Sequence, residues 1–175
     1  TMDPAEYENL ARIENEHWYY CGKRRIVRHW INEFHSSSTE EQRLLDCGAG
    51  TGQFAAELQS NFEVFVADDH GESLELLKNR FPETNIIPIG ETGVEAGSET
   101  FDVITALDVL EHIEADQAAV NGIHSLLRPD GIFVATVPAS MALWSDWDES
   151  LHHFRRYDKA GLLALFTEGW TVLHC

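Results

Sequence analysis

Short apolar runs and amphipathic segments alternate along most of this chain, and the period of the pattern changes once, near residue 40. Before that point the spacing is helical. Tyr7, Leu10 and Ile13 with Glu14, His17 and Trp18 form one stripe, and Ile26, Val27, Trp30, Ile31 and Phe34 form a second. The polar stretch HSSSTEE at 35–41 reads as a loop. Beyond it the pattern predicts strands at 43–47, 63–67, 85–89, 101–107, 132–137 and 170–174. Helices are predicted at about 52–60, 72–80, 115–127 and 159–166. Pro82 bars the helix before it from running on. RPDG at 128–131 reads as a turn feeding a strand. Asp158 is placed to cap the last helix, and Gly169 to end its turn.

The predicted strands are rich in Val, Ile and Phe and show little polar alternation, as strands covered on both faces do. Strand–helix alternation of this kind predicts an α/β fold with a parallel sheet and right-handed crossovers. Residues 1–40 are expected to form a helical cap over one end, and 41–175 the main domain.

Composition narrows the partners. A chain of 175 residues with 43% hydrophobic content suits one domain with a proper core. Lys and Arg total 12 against 30 Asp and Glu, a formal charge of −18, which repels nucleic-acid backbones and anionic lipid. No apolar run reaches membrane-spanning length. The cysteines, Cys21, Cys47 and Cys175, are scattered and odd in number, which points to a reducing, cytoplasmic setting. Cys47 has no basic partner nearby in sequence and reads as a packed thiol.

The chemistry begins at LLDCGAGTG, residues 44–52, directly after the first predicted strand. In an open parallel sheet, ligands bind at the carboxyl ends of strands. Gly48, Gly50 and Gly52 have GxGxG spacing. The dinucleotide fingerprint needs a further glycine where Gln53 stands, and the phosphate-binding loop needs a lysine that is missing. The second strand runs into VFVADDH, placing Asp68 about twenty residues after Gly48, where an acid accepts hydrogen bonds from a ribose diol. Glu91 and Asp108 end the third and fourth strands. Acids gathered at successive strand ends repel a pyrophosphate and favour a ligand carrying a sulfonium and an amino group.

Together LLDCGAGTGQFAAEL, VFVADDHGESLELLKNRF, IIPIGE, FDVITALDVLEHIEAD and LLRPDGIFVATVP resemble the class I S-adenosylmethionine-dependent methyltransferases, in that family's order over roughly residues 43–138. NEHWYYCGKRR at 15–25 and HFRRYDKAGLLALF at 153–166 resemble a branch that acts on small molecules, the methyltransferase type 11/12-like branch. The resemblance implies a Rossmann-like, doubly wound sheet with helices on both faces, and S-adenosylmethionine as cofactor with S-adenosylhomocysteine as product. It implies that Gly48, Ala49 and Gly50 pack against the methionyl part and ribose edge, and that Asp46 orders that loop. By the same resemblance Asp68 binds the ribose diol, Asp69 lines the adenine side, and Glu91 and Thr92 contact the adenine amino group. Leu107 and Asp108 would flank the methionyl moiety, and Arg24 or Arg25 would pair with the cofactor carboxylate. Cys47 and Ala49 stand where the family often has an aliphatic residue and a cysteine. The family's seventh, antiparallel strand follows its sixth, whereas this chain stops at Cys175; the seventh strand is therefore expected to be missing and the domain C-terminally incomplete.

Methyl transfer is an in-line displacement in which proximity and alignment do most of the work. A hydroxyl acceptor also needs a base, and His112 and then His153 are the candidates. Trp18, Tyr19, Tyr20, Trp144 and Trp147 can line an acceptor pocket or pack as core or lid. His152 and His153 with Asp146 and Asp148 match no zinc-ligand spacing, so they read as a solvated loop and no metal is expected. The expected partner is a small-molecule methyl acceptor, with neither nucleic acid nor membrane; oligomeric state is not readable. The alternatives are an NAD(P)-dependent Rossmann reductase and a non-catalytic S-adenosylmethionine-binding protein. For the reductase, the Tyr19–Lys23 pair lies on the wrong side of the nucleotide-binding strand.

Overall fold

The computed structural model describes residues 13–35, 41–90 and 93–175. Helix α1 spans Trp18–Phe34. Strand β1 (Arg43–Cys47) leads through the glycine turn into α2 (Gln53–Leu58). Strand β2 (Glu63–Ala67) is followed by α3 (Gly71–Lys78) and the two-residue β3 (Ile86–Ile87). A small hairpin, β4 (Ile89–Gly90) and β5 (Gly93–Val94), precedes β6 (Phe101–Leu107). Helix α4 (Asp116–Leu126), β7 (Leu127–Thr136), α5 (Asp146–Ser150) and α6 (Lys159–Ala164) complete the chain.

The main sheet has the order β3-β2-β1-β6-β7, and every pairing in it is parallel. The chain leaves β1 toward β2 and β3 on one side, then returns to lay β6 and β7 on the other. The topological switch point therefore lies between β1 and β6, the place where open parallel sheets bind ligands.

Apolar side chains alternate between two covered faces. Leu44, Val64, Val66, Val103 and Ile132 pack on one face with Val27 and Ile31 of α1, Phe54 of α2 and Leu77 of α3. Leu45, Phe65, Ile104 and Ala106 pack on the other with Ile123 of α4. Within α1 the buried positions Arg24, Val27 and Ile31 are three and four residues apart, so one stripe faces the sheet. The exposed Ile26 falls off that stripe. Of the other predicted stripe, Tyr7 and Leu10 lie outside the described residues; Ile13 and Glu14 lie before α1, His17 caps it and Trp18 opens it, so the stripe does not run along one helix there.

Three sequence expectations need correction. Residues 170–174 form no strand. A strand exists only in a ladder, and Trp170 instead stacks edge-on against Phe166 and His124, while His174 stacks on Trp30 at 4.0 Å. RPDG is a bulge inside β7, not a turn ahead of it: the register jumps from Phe101↔Leu127 to Val103↔Ile132. Asp130 there takes a φ of 64°, and a side chain on Gly131 would meet the carbonyl of Arg128 at 2.9 Å. The third predicted strand contracts to two residues, and the segment after it turns away into the hairpin β4–β5. As expected, Asp158 caps α6 by accepting from Gly161 N at 2.7 Å.

Candidate active site

The turn after β1 is pinned by its own backbone. Gly48 N and Ala49 N both donate to the carbonyl of Ala67 at the end of β2, at 2.8 and 3.1 Å. Gly50 N donates to Asp68 Oδ2 at 2.9 Å, and Gly52 N to the carbonyl of Ala49 at 2.8 Å. A phosphate cradle needs N–H groups free to point at an anion. Here those four donors are already taken by the protein. Gly48, Gly50 and Gly52 all have positive φ, a backbone that L side chains rarely adopt. Their surroundings differ. A Cβ on Gly48 would stand 2.5 Å from Val109 Cγ2, and one on Gly52 2.7 Å from Leu77 Cδ2, whereas one on Gly50 would meet no atom within 4 Å. Gly48 and Gly52 thus serve packing, and Gly50 alone presents an open floor.

Four acids lie at or just beyond the ends of β1, β2 and β6, and Asp68 is the one bonded to Gly50. Asp68 is 6% exposed, and its other oxygen accepts from His70 N at 2.9 Å. An ionised carboxylate has about four acceptor sites, so two backbone bonds leave capacity for ligand hydroxyls. Asp46, 3% exposed, accepts from Thr105 Oγ1 at 2.6 Å. Burial pushes the Asp46 carboxyl up to about 7, and the Asp68 charge adds to the effect against the opposing Thr105 hydrogen bond. Asp108 sits at the end of β6 with a φ of 56° and accepts from Thr136 Oγ1 at 2.8 Å. A non-glycine residue held in that region marks local strain, which collects at functional sites. Glu111, on the single turn Leu110–His112, is 1% exposed, and burial raises its carboxyl to about 8.

The cation facing these acids is Lys23 of α1. Its Nζ reaches Asp108 Oδ2 at 2.5 Å and lies 5.4 Å from the Tyr19 ring centroid and 5.7 Å from that of Tyr20. Its charge favours the ionised forms of both Asp46 and Glu111. Arg24 points elsewhere: its Nε lies 2.9 Å from Glu57 Oε1, and an Nη donates to the carbonyl of Glu14 at 2.8 Å. Glu14 is itself buried and accepts from Thr51 Oγ1 of the glycine turn at 2.8 and 2.7 Å, so the segment before α1 is tied to the turn.

The two predicted histidines do meet. The rings of His112 and His153 stand 4.6 Å apart, edge to face. Partial desolvation and the neighbouring His153 lower the His112 imidazole to about 4, although part of its ring reaches solvent. Asp148 corrects the solvated-loop reading: it is fully buried. It accepts from Arg156 Nε at 2.7 Å, lies 2.9 Å from His153 Nδ1, and caps α5 through Ser145 N at 3.0 Å. Those bonds hold its carboxyl well below the usual range, Arg156 foremost. An ionised Asp148 accepts only, so His153 Nδ1 is the donor, and in the neutral imidazole Nε2 is then the acceptor.

Of the remaining predicted residues, Asp69 is exposed beside Asp68, and Leu107 ends β6 against the core. Glu91 and Thr92 lie outside the described residues. Trp18 and Trp147 are 78% and 60% exposed, so neither is core. Burial raises the Cys47 thiol, in keeping with a packed group. Sequence reading missed Lys23, Glu111 and the Glu14–Thr51 tie. For Glu111 a signal existed, since it stands directly before His112.

A family model described as a methyltransferase domain matches residues 16–171. The chain is 27% identical over 151 residues to the ubiquinone biosynthesis O-methyltransferase of Neisseria meningitidis serogroup C, covering 78% of this chain and 63% of that protein. It is 30% identical over 162 residues to the enzyme of the same name from Mesorhizobium japonicum, covering 78% and 64%. The chain thus spans under two thirds of the length of these relatives. Among solved structures it resembles CalS10, an amino pentose methyltransferase of Micromonospora echinaspora, with a TM-score of 0.59 and 23% identity over 74% of this chain and 54% of that one. It also resembles a Haloferax volcanii complex of the Trm112 activator with a putative methyltransferase, with a TM-score of 0.72 and 14% identity over 93% and 73%. Those two likenesses concern the fold: a Rossmann-like, mostly parallel sheet with helices on both faces. By its sequence from residue 16 to 171, the chain belongs to the methyltransferase domain family.

Proposed function

We propose that this chain binds S-adenosylmethionine at the β1–β6 crevice and moves its methyl group to a small-molecule acceptor. The observation that carries the reading is the glycine turn. Its N–H groups are spent on Ala67, Asp68 and Ala49, while Gly50 leaves open space with the Asp68 carboxylate beside it. That arrangement disfavours a pyrophosphate, and hence a nicotinamide dinucleotide, and suits an uncharged ribose with a cationic methionyl end. Two of the curated relatives are O-methyltransferases by name, and CalS10 is described with its cofactor bound.

The residues fit such a ligand. Asp68 would hold the ribose diol, with Asp69 on the adenine side beside Glu91 and Thr92. Gly48, Ala49 and Gly50 would lie under the ribose edge. Asp46, Leu107 and Asp108 would face the methionyl end, where Lys23 now neutralises Asp108. Arg24 would meet a cofactor carboxylate only by giving up Glu57. The bound cofactor supplies an activated methyl group. The chain's part is alignment, and proton removal where the acceptor is a hydroxyl. His112 and His153 are the proposed bases, with Asp148 fixing the His153 tautomer so that Nε2 can take a proton. The free cysteines accord with a reducing, cytoplasmic setting. No helix among the described residues is long and apolar enough to cross a membrane.

Mass spectrometry of reactions containing S-adenosylmethionine and a panel of catechols, hydroxyquinols and amino sugars tests the reading. A product heavier by one methylene, formed with stoichiometric S-adenosylhomocysteine, is the expected result. Tight cofactor binding without turnover on any acceptor would instead favour a binding protein.

A further inference from the structure

We propose that Glu111, His112 and His153 form a binding site for one divalent transition-metal ion of the zinc type. The nearest oxygen and ring nitrogens of the three all lie within 4.8 Å of one another. Glu111 is 1% exposed, and its Oε2 has no hydrogen-bond partner among the described residues. A buried carboxyl oxygen without a partner is costly, and a cation held between it and two imidazoles supplies the missing partner, releasing the carboxyl proton to solvent.

Three further features support a metal. First, His153 carries the supporting contact that metal-bound histidines use: Nδ1 donates to Asp148 Oδ1 at 2.9 Å, which orients the ring and makes Nε2 the acceptor of the neutral imidazole. Asp148 is in turn fixed by Arg156 and the Ser145 backbone. Second, His112 reaches solvent, so an ion has a way in and an open position for water or an acceptor oxygen. Third, the ammonium of Lys23 is committed to Asp108, and no described cation is bonded to Glu111 Oε2.

The donor set selects the ion. Two imidazoles and one carboxylate suit Zn²⁺, Co²⁺ or Fe²⁺, whereas Mg²⁺ and Ca²⁺ prefer oxygens alone. Around a zinc-sized ion with bonds of about 2.0–2.1 Å, ligand atoms stand roughly 3.3 Å apart. The site must therefore tighten, and the exposed His112 ring is the member freest to turn. Metal binding here does not depend on methyl transfer. If both hold, the ion lowers the pKa of a coordinated acceptor hydroxyl, whose proton passes to solvent.

The test uses untagged, chelator-treated protein titrated with Co²⁺ and followed by visible absorption, with Zn²⁺ competition and elemental analysis for stoichiometry. The expected result is one ion per chain, displaced by Zn²⁺. His112→Ala and Glu111→Gln should each weaken binding at least tenfold, with circular dichroism confirming the fold. His153→Ala provides a third variant should Glu111→Gln fail to fold. Absence of saturable binding to the parent would overturn the proposal. So would equal affinity in His112→Ala and a folded Glu111 or His153 variant, since the chain has nine histidines and the ion would then sit elsewhere.

Discussion

Asp46→Asn should make this protein more stable, and only above a definite pH. The carboxyl is enclosed by β1 and its neighbours at 3% exposure, and burial raises it from 3.8 to about 7. A change of that size, at about 1.4 kcal/mol for each tenfold, corresponds to roughly 4 kcal/mol. The folded chain holds this proton more tightly than the unfolded chain does. The group's contribution to stability is therefore fully present below about pH 4 and lost as the pH climbs through about 7. Asparagine keeps the shape and an oxygen to accept from Thr105 Oγ1, but it never ionises. Urea unfolding of parent and variant at pH 5, 6, 7, 8 and 9 should give curves that diverge upward in pH, with Asp46→Asn ahead by about 2–4 kcal/mol at pH 9. A gap that stays constant from pH 5 to pH 9 would refute the burial argument. Above about pH 7 the same variant should bind S-adenosylmethionine more weakly than the parent, because the negative charge of Asp46 is gone.

The glycine turn yields a contrasting pair. Gly48→Ala drives a Cβ to within 2.5 Å of Val109 Cγ2 and should cost about 1–3 kcal/mol, with Val109→Ala restoring part of it in thermal melts. At Gly50 a Cβ meets open space, so Gly50→Ala carries only the strain of a φ of 57°, about 1–2 kcal/mol, yet cofactor binding by calorimetry should weaken, and more so in Gly50→Val. Arg24→Met removes the contact to Glu57 at 2.9 Å and the bond to the Glu14 carbonyl; Glu57, 24% exposed, keeps Arg28 at 3.5 Å, so stability should fall by about 1–2 kcal/mol in denaturant titrations. Cofactor affinity measured on the same variant separates this structural role from a role in holding the cofactor carboxylate.

The strands β1, β2 and β6 were legible to the residue because each is a run of apolar residues ended by a turn residue or an acid. Where the reading failed, local pattern lacked the deciding information. Residues 170–174 have strand-like composition, but a strand needs a neighbour, and Trp170 found an aromatic cluster instead. The start of β7 hid inside RPDG because a bulge and a turn share the same residues. Helix α5 is five residues long and mostly polar, so no periodicity announced it, though Ser145 and Asp148 form a capping box. The placing of the glycines, Asp46, Asp68 and Asp108 at strand ends could be read because they sit at fixed offsets from β1, β2 and β6. Lys23 could not, since its partner Asp108 is a distant residue that only the packing of α1 brings near. Nor could the burial of Asp148, which depends on Arg156 and His153 closing over it.

Isothermal titration of the parent and Asp68→Ala with S-adenosylhomocysteine, alongside NADH, bears most directly on the identity of the crevice. Asp68 is held between Gly50 N and His70 N with capacity left for two hydroxyls. The parent should bind one S-adenosylhomocysteine per chain and no NADH, and Asp68→Ala should bind at least tenfold more weakly. A parent that gives no saturable heat with S-adenosylhomocysteine, or an Asp68→Ala variant that binds it equally well, would contradict the assignment.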